Sequence, residues 1–342
     1  LNWRALFFAE KEDLPDNFIG NIRMNHRRLS LIHTSTRSFL REGLRTPGYR
    51  LFDFLHGYVY ARWPYLYIGI GVGEHPLSPW LARLSRFLTL LFPPRPGGNG
   101  NGSKPGNVAF ADTYHGKVVP LVAATQLVTV HEEIRLPDLE KIVPYDRARD
   151  IILMNPDHLV ALDCPCRSAR SNPCKPVDVC LIVGEPFASF VSEHHPERSR
   201  WISSEEAVEI LRAEDERGHV HHAFFKDAML GRFYAICNCC ACCCGAMQAH
   251  QRGTPMLASS GYASSVDEDL CIGCSDCIDL CQFFALSVSD GHAVIDQALC
   301  MGCGVCVNHC EQEALSLILI PDRGEPLEIQ KLIEQFQKAA PA

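Results

Sequence analysis

Between residues 265 and 320 the chain has no lysine and no arginine, yet it carries nine aspartates and glutamates. Such a segment repels acidic surfaces and is steered towards basic patches on a partner. Long apolar runs are also missing. The aromatic stretch LFDFLHGYVYARWPYLYIGIGVG is interrupted by Arg62 and Pro64, and a bilayer span needs about 20 apolar residues, so no transmembrane helix is expected. The first thirty residues hold Arg4, Lys11, Arg23, Arg27 and Arg28 without a long apolar core, so no secretory signal is expected either. Gly69, Gly71 and Gly73 form GIGVG rather than G-x-G-x-x-G, and the acidic residue about 20 positions on is absent, which argues against a dinucleotide site. No C-x2-C-H occurs, which leaves covalent haem attachment unsupported.

Cysteine, by contrast, is abundant. The 342 residues include 18 cysteines, gathered into three tight groups rather than spread as a disulfide framework would be. Thiols this dense would oxidise or cross-link if left free. In a chain without a secretory signal they read as metal thiolates in a reducing compartment. The expected location is cytoplasmic, with peripheral contact at the inner membrane face as the variant. Residues 1–95 carry 13 Lys/Arg against 7 Asp/Glu, which suits an anionic membrane surface or an acidic partner subunit. Nucleic acid is not expected, since no recognition fold or stacking motif accompanies the arginines.

The most specific group is Cys271–Cys310. It reads CIGCSDCIDLC and, 29 residues on, CMGCGVCVNHC. Each half is C-x2-C-x2-C-x3-C, and the halves also match at Asp267/Asp296, Leu270/Leu299, Gly273/Gly302 and Ala285-Leu286/Ala314-Leu315. Residues 265–320 therefore resemble the bacterial ferredoxins that hold two [4Fe–4S] clusters. Three thiolates two residues apart curl round one cluster, while the fourth, a helical turn later, points towards the other. Cluster I is thus assigned Cys271, Cys274, Cys277 and Cys310, and cluster II Cys300, Cys303, Cys306 and Cys281. The resemblance implies a pseudo-twofold (βαβ)2 domain. One departure is visible: the family usually places proline after each fourth cysteine, where this chain has Gln282 and Glu311. A pair of zinc knuckles is the bland alternative, but interlocked spacing has no zinc rationale.

Ten further cysteines lie upstream: Cys164, Cys166, Cys174 and Cys180, then Cys237, Cys239, Cys240, Cys242, Cys243 and Cys244 in CNCCACCC. Alternation along an extended chain would send Cys237, Cys239 and Cys243 one way and Cys240, Cys242 and Cys244 the other. Neighbours such as Cys239 and Cys240 would then serve different clusters. One or two further iron–sulfur clusters are expected, with a non-cubane or double cluster and zinc as alternatives. Arg167 and Arg170 could donate to cluster sulfides or a bound anion; surface arginines are the alternative. His194, His195, His219, His221 and His222 are read mainly as polar packing, with metal ligation the minor reading. C-x-C-R followed by CNCC-x-CCC also resembles Cys-rich 4Fe–4S proteins of anaerobic bacteria, over residues 110–320.

An α+β chain in five parts is expected. Residues 1–92 form a basic, mostly helical docking module that includes an amphipathic helix over 80–92. A Pro/Gly linker covers 93–107, a Cys-rich α+β domain 108–262, the ferredoxin-like domain 263–320 and a terminal helix 321–342. In the middle part, VVPLVAATQLVTV is ambiguous between strand and helix. Asp138 with LEKIV suggests a short helix, RARDIILMN another, and His158–Asp163 a strand. Ser203 with Glu206 forms a capping box before a helix closed by Gly218. The expected function is single-electron transfer between a redox partner with a basic docking surface and another redox centre, within a larger oxidoreductase rather than as a stand-alone enzyme. The rivals are a reductase whose 164–244 cluster binds substrate, and a membrane-surface redox adaptor docking through 80–92.

Overall fold

The computed structural model describes residues 33–80, 114–145 and 149–339. Residues 81–92 of the amphipathic stretch and the linker 93–107 lie outside the described residues. The described residues from Ser35 onwards form one compact unit. Among the described residues no helix is long and apolar enough to cross a membrane.

Among the described residues, the named elements begin with the helices α1 (Thr34–Arg45), α2 (Leu51–Arg62) and α3 (Pro64–Gly71). Pro64, which interrupts the aromatic run, opens α3, where its missing N–H costs nothing. Phe39, Phe54 and Tyr60 from these helices are buried in the same core as the following sheet.

That sheet has eight strands: β1 (Tyr114–Val119), β2 (Ile134–Leu136), β3 (Ile151–Leu162), β4 (Cys180–Glu185), β5 (Ser199–Ile202), β6 (Val220–Lys226), β7 (Arg232–Cys239) and β8 (Leu257–Ala258). The order is β2-β3-β4-β7-β6-β1-β8, with β5 also paired to β3. The β1–β8 pair is parallel and the other pairs are antiparallel. Helices α4 (Leu121–Val128), α5 (Pro165–Ser168), α6 (Phe187–His194), α7 (Ser204–Glu216) and α8 (Gly245–Gln251) connect and cover it. The Ser203 cap is in place, its Oγ accepting from Glu206 N–H at 3.2 Å.

Alternation along the strands separates two cores. Leu159, Ala161, Leu181, Val183 and Ile236 face one, while Val160, Leu162, Cys180, Ile182 and Ala235 face the other. The two-residue period therefore puts Cys180, Cys237 and Cys239 on one face of the sheet.

Two expectations need correction. RARDIILMN is strand from Ile151, not helix: its β-branched pair Ile151-Ile152 lies in β3 opposite Leu136 and Arg135 of β2. The sequence after Asp138 is a turn, with Asp138 itself at φ 56° and ion-paired to Arg149. In VVPLVAATQLVTV, Pro120 divides the run, ending β1 and preceding α4.

The C-terminal part continues as β9 (Tyr262–Val266), α9 (Asp276–Leu280), β10 (Leu286–Ser289), β11 (His292–Ile295), α10 (Val305–Asn308) and β12 (Leu315–Leu319). β9 pairs with β12 and β10 with β11, both antiparallel. Helix α11 (Ile329–Ala339) follows, and Leu327, Ile329 and Leu332 bury themselves in the core of Leu159 and Leu181.

Candidate metal centres

The eight cysteines of 271–310 separate into two cavities. Cys271, Cys274, Cys277 and Cys310 line one of about 570 Å³. Cys281, Cys300, Cys303 and Cys306 line another of about 290 Å³. The fourth cysteine of each run thus stands with the first three of the other run.

The surrounding backbone repeats with the same exchange. Ala293 N–H donates to Cys271 Sγ at 3.3 Å, and Ser264 N–H donates to Cys300 Sγ at 3.4 Å. Asp267 N–H donates to Ala314 O at 2.8 Å, and Asp296 N–H to Ala285 O at 2.7 Å. Gly273 and Gly302 have φ of +64° and +66°, and a Cβ there would stand 2.3 Å from Gly291 O and 2.1 Å from Tyr262 O. Only glycine tolerates both demands. Each of these pairs is related by the 29-residue offset of the cysteine runs.

The two cavities differ in depth. Cys274 is exposed at the first. The second adjoins the sheet: Phe283 and Val305 are buried in the core of Val160 and Ile182. Burial pushes the Cys306 thiol up to about 11, although Ser264 Oγ, 3.2 Å from its sulfur, acts the other way. Burial also raises Cys277 at the first cavity.

The ten upstream cysteines divide four and six. Cys174, Cys240, Cys242 and Cys243 bring their sulfurs within 4.8 Å of one another. The other six form an arc of neighbouring sulfurs: Cys237 to Cys180 at 4.0 Å, then Cys164, Cys166, Cys244 and Cys239. They line a cavity of about 820 Å³ that Cys240, Cys243, Arg167 and Asn238 also border, the rest of its wall being apolar and aromatic, with Tyr60, Tyr114 and Tyr234. Hydrogen bonds from Cys166 and Cys180 hold the Cys164 thiol well below its ordinary range, and the Arg167 N–H and guanidinium assist.

Alternation foresaw Cys239 and Cys240 parting company, and Cys237 staying with Cys239. It misassigned the last two. β7 ends at Cys239, and the N–H groups of Cys243 and Cys244 both turn back to Cys240 O, at 3.3 and 3.0 Å. That helical turn sends Cys243 to the compact four and Cys244 to the arc.

Arg167 is not a surface arginine. It is 1% exposed, with Nη2 donating to Glu214 Oε2 at 2.5 Å and to Asn238 O at 3.0 Å, and 3.1 Å from His219 Nδ1. Nη1 donates to Pro176 O, while the buried Nε has no partner. Burial opposes ionisation of Glu214, but His219 and Arg167 outweigh it and hold the carboxyl below its ordinary range. Arg170 donates to Cys243 O at 3.1 and 3.3 Å, to Gln248 Oε1 at 2.8 Å and to Glu74 Oε1 at 2.7 Å. Of the histidines, His194, His195, His219 and His221 have stacking or hydrogen-bonding neighbours. His194 stacks on Phe190 with centroids 4.0 Å apart, His195 Nε2 lies 2.8 Å from Ala61 O, and His221 Nδ1 lies 2.6 Å from Asn238 Oδ1. His222 is fully buried, and neither ring nitrogen has a partner.

Two contacts were not foreseen from the sequence, although Gln282 stands out there as a departure from the ferredoxin pattern. Gln282, where the ferredoxin pattern has proline, accepts from Ala241 N–H at 2.9 Å and so joins the C-terminal part to the turn carrying Cys240 and Cys242. Lys226, 1% exposed, has its ammonium 5.0, 5.1 and 6.0 Å from the ring centroids of Tyr60, Tyr114 and Tyr67. Burial pushes it down to about 8.

Comparison with known proteins agrees with the C-terminal geometry. The family model for the 4Fe–4S binding domain (Fer4) matches residues 293–316, the segment containing Cys300, Cys303, Cys306 and Cys310. No curated protein matches the chain. The chain carries a 4Fe–4S binding domain, and with it at least one [4Fe–4S] site in a mixed α/β protein.

Proposed function

We propose that this protein is a multi-cluster iron–sulfur electron carrier, passing single electrons between a partner with a basic docking face and another redox centre. Residues 263–320 form a pseudo-twofold (βαβ)2 ferredoxin-like domain with two clusters. Cys271, Cys274, Cys277 and Cys310 hold one, and Cys281, Cys300, Cys303 and Cys306 the other. Cys164, Cys166, Cys180, Cys237, Cys239 and Cys244 hold at least one more. The observation that carries this reading is the pair of four-cysteine cavities with exchanged fourth residues, each receiving a backbone N–H on a cysteine sulfur. A bound cubane supplies one-electron storage. The protein's own groups set its energy: N–H donors favour the added electron, and the acidic residues of 265–320 oppose it.

The placement of the sites supports a path inwards. Cys274 is the exposed end, Cys303 packs against the core, and Gln282 ties Cys281 to the Cys240–Cys244 turn. The test is an iron and acid-labile sulfide count on anaerobically purified full-length protein. The two ferredoxin-type sites alone require about 8 iron and 8 sulfide per chain, and the six-cysteine arc must raise both. A count of about 4 of each defeats the two-cluster reading.

A second reading, a reductase whose upstream cluster meets substrate, has one observation in its favour. A cavity of about 570 Å³ shares Tyr60, Tyr114 and Cys166 with the arc and contains Lys226. A molecule seated there would lie beside the arc, against a buried cation. Trial acceptors that change the EPR spectrum of wild-type protein but not of Lys226→Met would favour it over a pure carrier.

A further inference from the structure

We propose that Cys174, Cys240, Cys242 and Cys243 bind one metal ion, zinc or iron, in a tetrahedral tetrathiolate site rather than a cubane. This stands apart from the cluster assignments of residues 271–310 and of the six-cysteine arc. Its basis is distance. Cys242 Sγ lies 3.2 Å from Cys174 Sγ, 3.4 Å from Cys240 Sγ and 3.5 Å from Cys243 Sγ, and Cys240 Sγ lies 3.6 Å from Cys174 Sγ. Four sulfurs about 2.3 Å from a single ion stand at the corners of a tetrahedron with edges of about 3.8 Å. A four-iron cluster inserts metal–metal and metal–sulfide bonds between its thiolates and holds them farther apart. The same molecule supplies the contrast. Among the described residues this is the one group of cysteine, histidine and carboxylate ligands that closes within 4.8 Å, whereas both ferredoxin-type quartets surround open cavities.

The frame around the four sulfurs is built to keep them there. Cys240 O receives two backbone N–H groups and closes the turn. Gln248 Nε2 donates to Cys242 O at 2.9 Å and to Ala241 O at 3.3 Å. Arg170 holds Cys243 O. With these carbonyls engaged, the thiols are the groups left to converge. Cys174 comes from the segment between α5 and β4, which has neither helix nor strand. An ion would staple that segment to the turn, and it would fix Ala241 N–H against Gln282 as well. It would also quench Cys242, an exposed thiol otherwise open to oxidation. Zinc would make the site a redox-silent clip; iron would make it a one-electron relay beside the arc.

The experiment compares full-length wild type with Cys174→Ser and Cys242→Ser after anaerobic purification. Each variant is expected to lose one metal ion per chain while acid-labile sulfide stays at the wild-type value. Loss of about four irons together with about four sulfides, the content of a cubane, overturns the proposal. Should the variants not fold, wild-type spectra decide. Zinc K-edge absorption should report four sulfurs and no short metal–metal vector. In zinc-free preparations, Mössbauer spectra of ⁵⁷Fe-grown protein should contain one isolated high-spin iron per chain. Finding neither signal overturns the proposal, whatever the sulfide count says about the clusters elsewhere.

Discussion

Arg167 follows Cys166 directly, and nothing in CPCRSAR tells a buried arginine from an exposed one. Its burial is decided by Glu214 and His219, some 50 residues away, which helix α7 and the connection just before strand β6 bring to it. Replacing it by methionine removes a positive charge beside Cys164, so on the proposed function the potential of a cluster held by the arc should fall. The change also strands Glu214. Breaking a buried pair costs about 3–5 kcal/mol, and less here because Arg217 and His219 still bond Glu214. Arg167→Lys keeps the charge but not the fork. It should restore the potential more fully than the stability, as read by potentiometric EPR and urea unfolding. His222 makes the opposite case. Burial pushes it down to about 3 from 6.5, so between those values the folded chain binds fewer protons than the unfolded one. Stability therefore rises with pH across that window and falls on acidification below 6.5, by about 1.4 kcal/mol per unit at most. His222→Leu should flatten this slope, losing about 2 kcal/mol less than wild type between pH 6.5 and 5 in anaerobic urea titrations. At neutral pH it should be no less stable, since it removes two unpartnered nitrogens. Loss of iron in this variant would instead identify a ligand.

At the level of elements, strand periodicity was legible and turns were not. Cys237 and Cys239 share a face because β7 is extended, a relation visible in C-N-C. The chain leaves β7 at Cys239, and the turn's hydrogen bonds, not alternation, decide where Cys243 and Cys244 go. RARDIILMN misled for a related reason. Its short apolar run suits helix or strand, and pairing with β2 and β4 selects strand. Gln282 shows how a departure from a family pattern acquires a purpose. A proline there could not reach Ala241. Gln282→Ala should leave the iron and sulfide content unchanged and cost about 1 kcal/mol. It should also slow reoxidation of the upstream centre by an acceptor at the ferredoxin end, followed by stopped flow. An unchanged rate would mean the contact is not on the path.

For the whole molecule, charge and depth combine. The segment 265–320, without a lysine or arginine, carries the exposed Cys274, while the arc lies under helices α2 and α3 and against the sheet. Electron exchange with a cationic acceptor should therefore slow as salt rises, most steeply below about 0.1 M, where the Debye length exceeds about 10 Å. An anionic acceptor should show the reverse trend. Equal salt dependence for both would remove the acidic face from the docking argument. Low potentials are expected for the two ferredoxin-type sites, since added charge meets like charge.

Spacing by itself pointed to a 4Fe–4S binding domain in the C-terminal part. Eight cysteines, two glycines and a 29-residue repeat are local constraints, and reach along a short chain leaves few ways to satisfy them. The absence of basic residues there needed no structure either. Tertiary structure alone decided the division of the other ten cysteines into four and six, the burial of Arg167 and Lys226, and the bridge from Gln282 to Ala241. Those partners lie tens to hundreds of residues apart, and only the order of strands in the sheet and the closing of a turn bring them together.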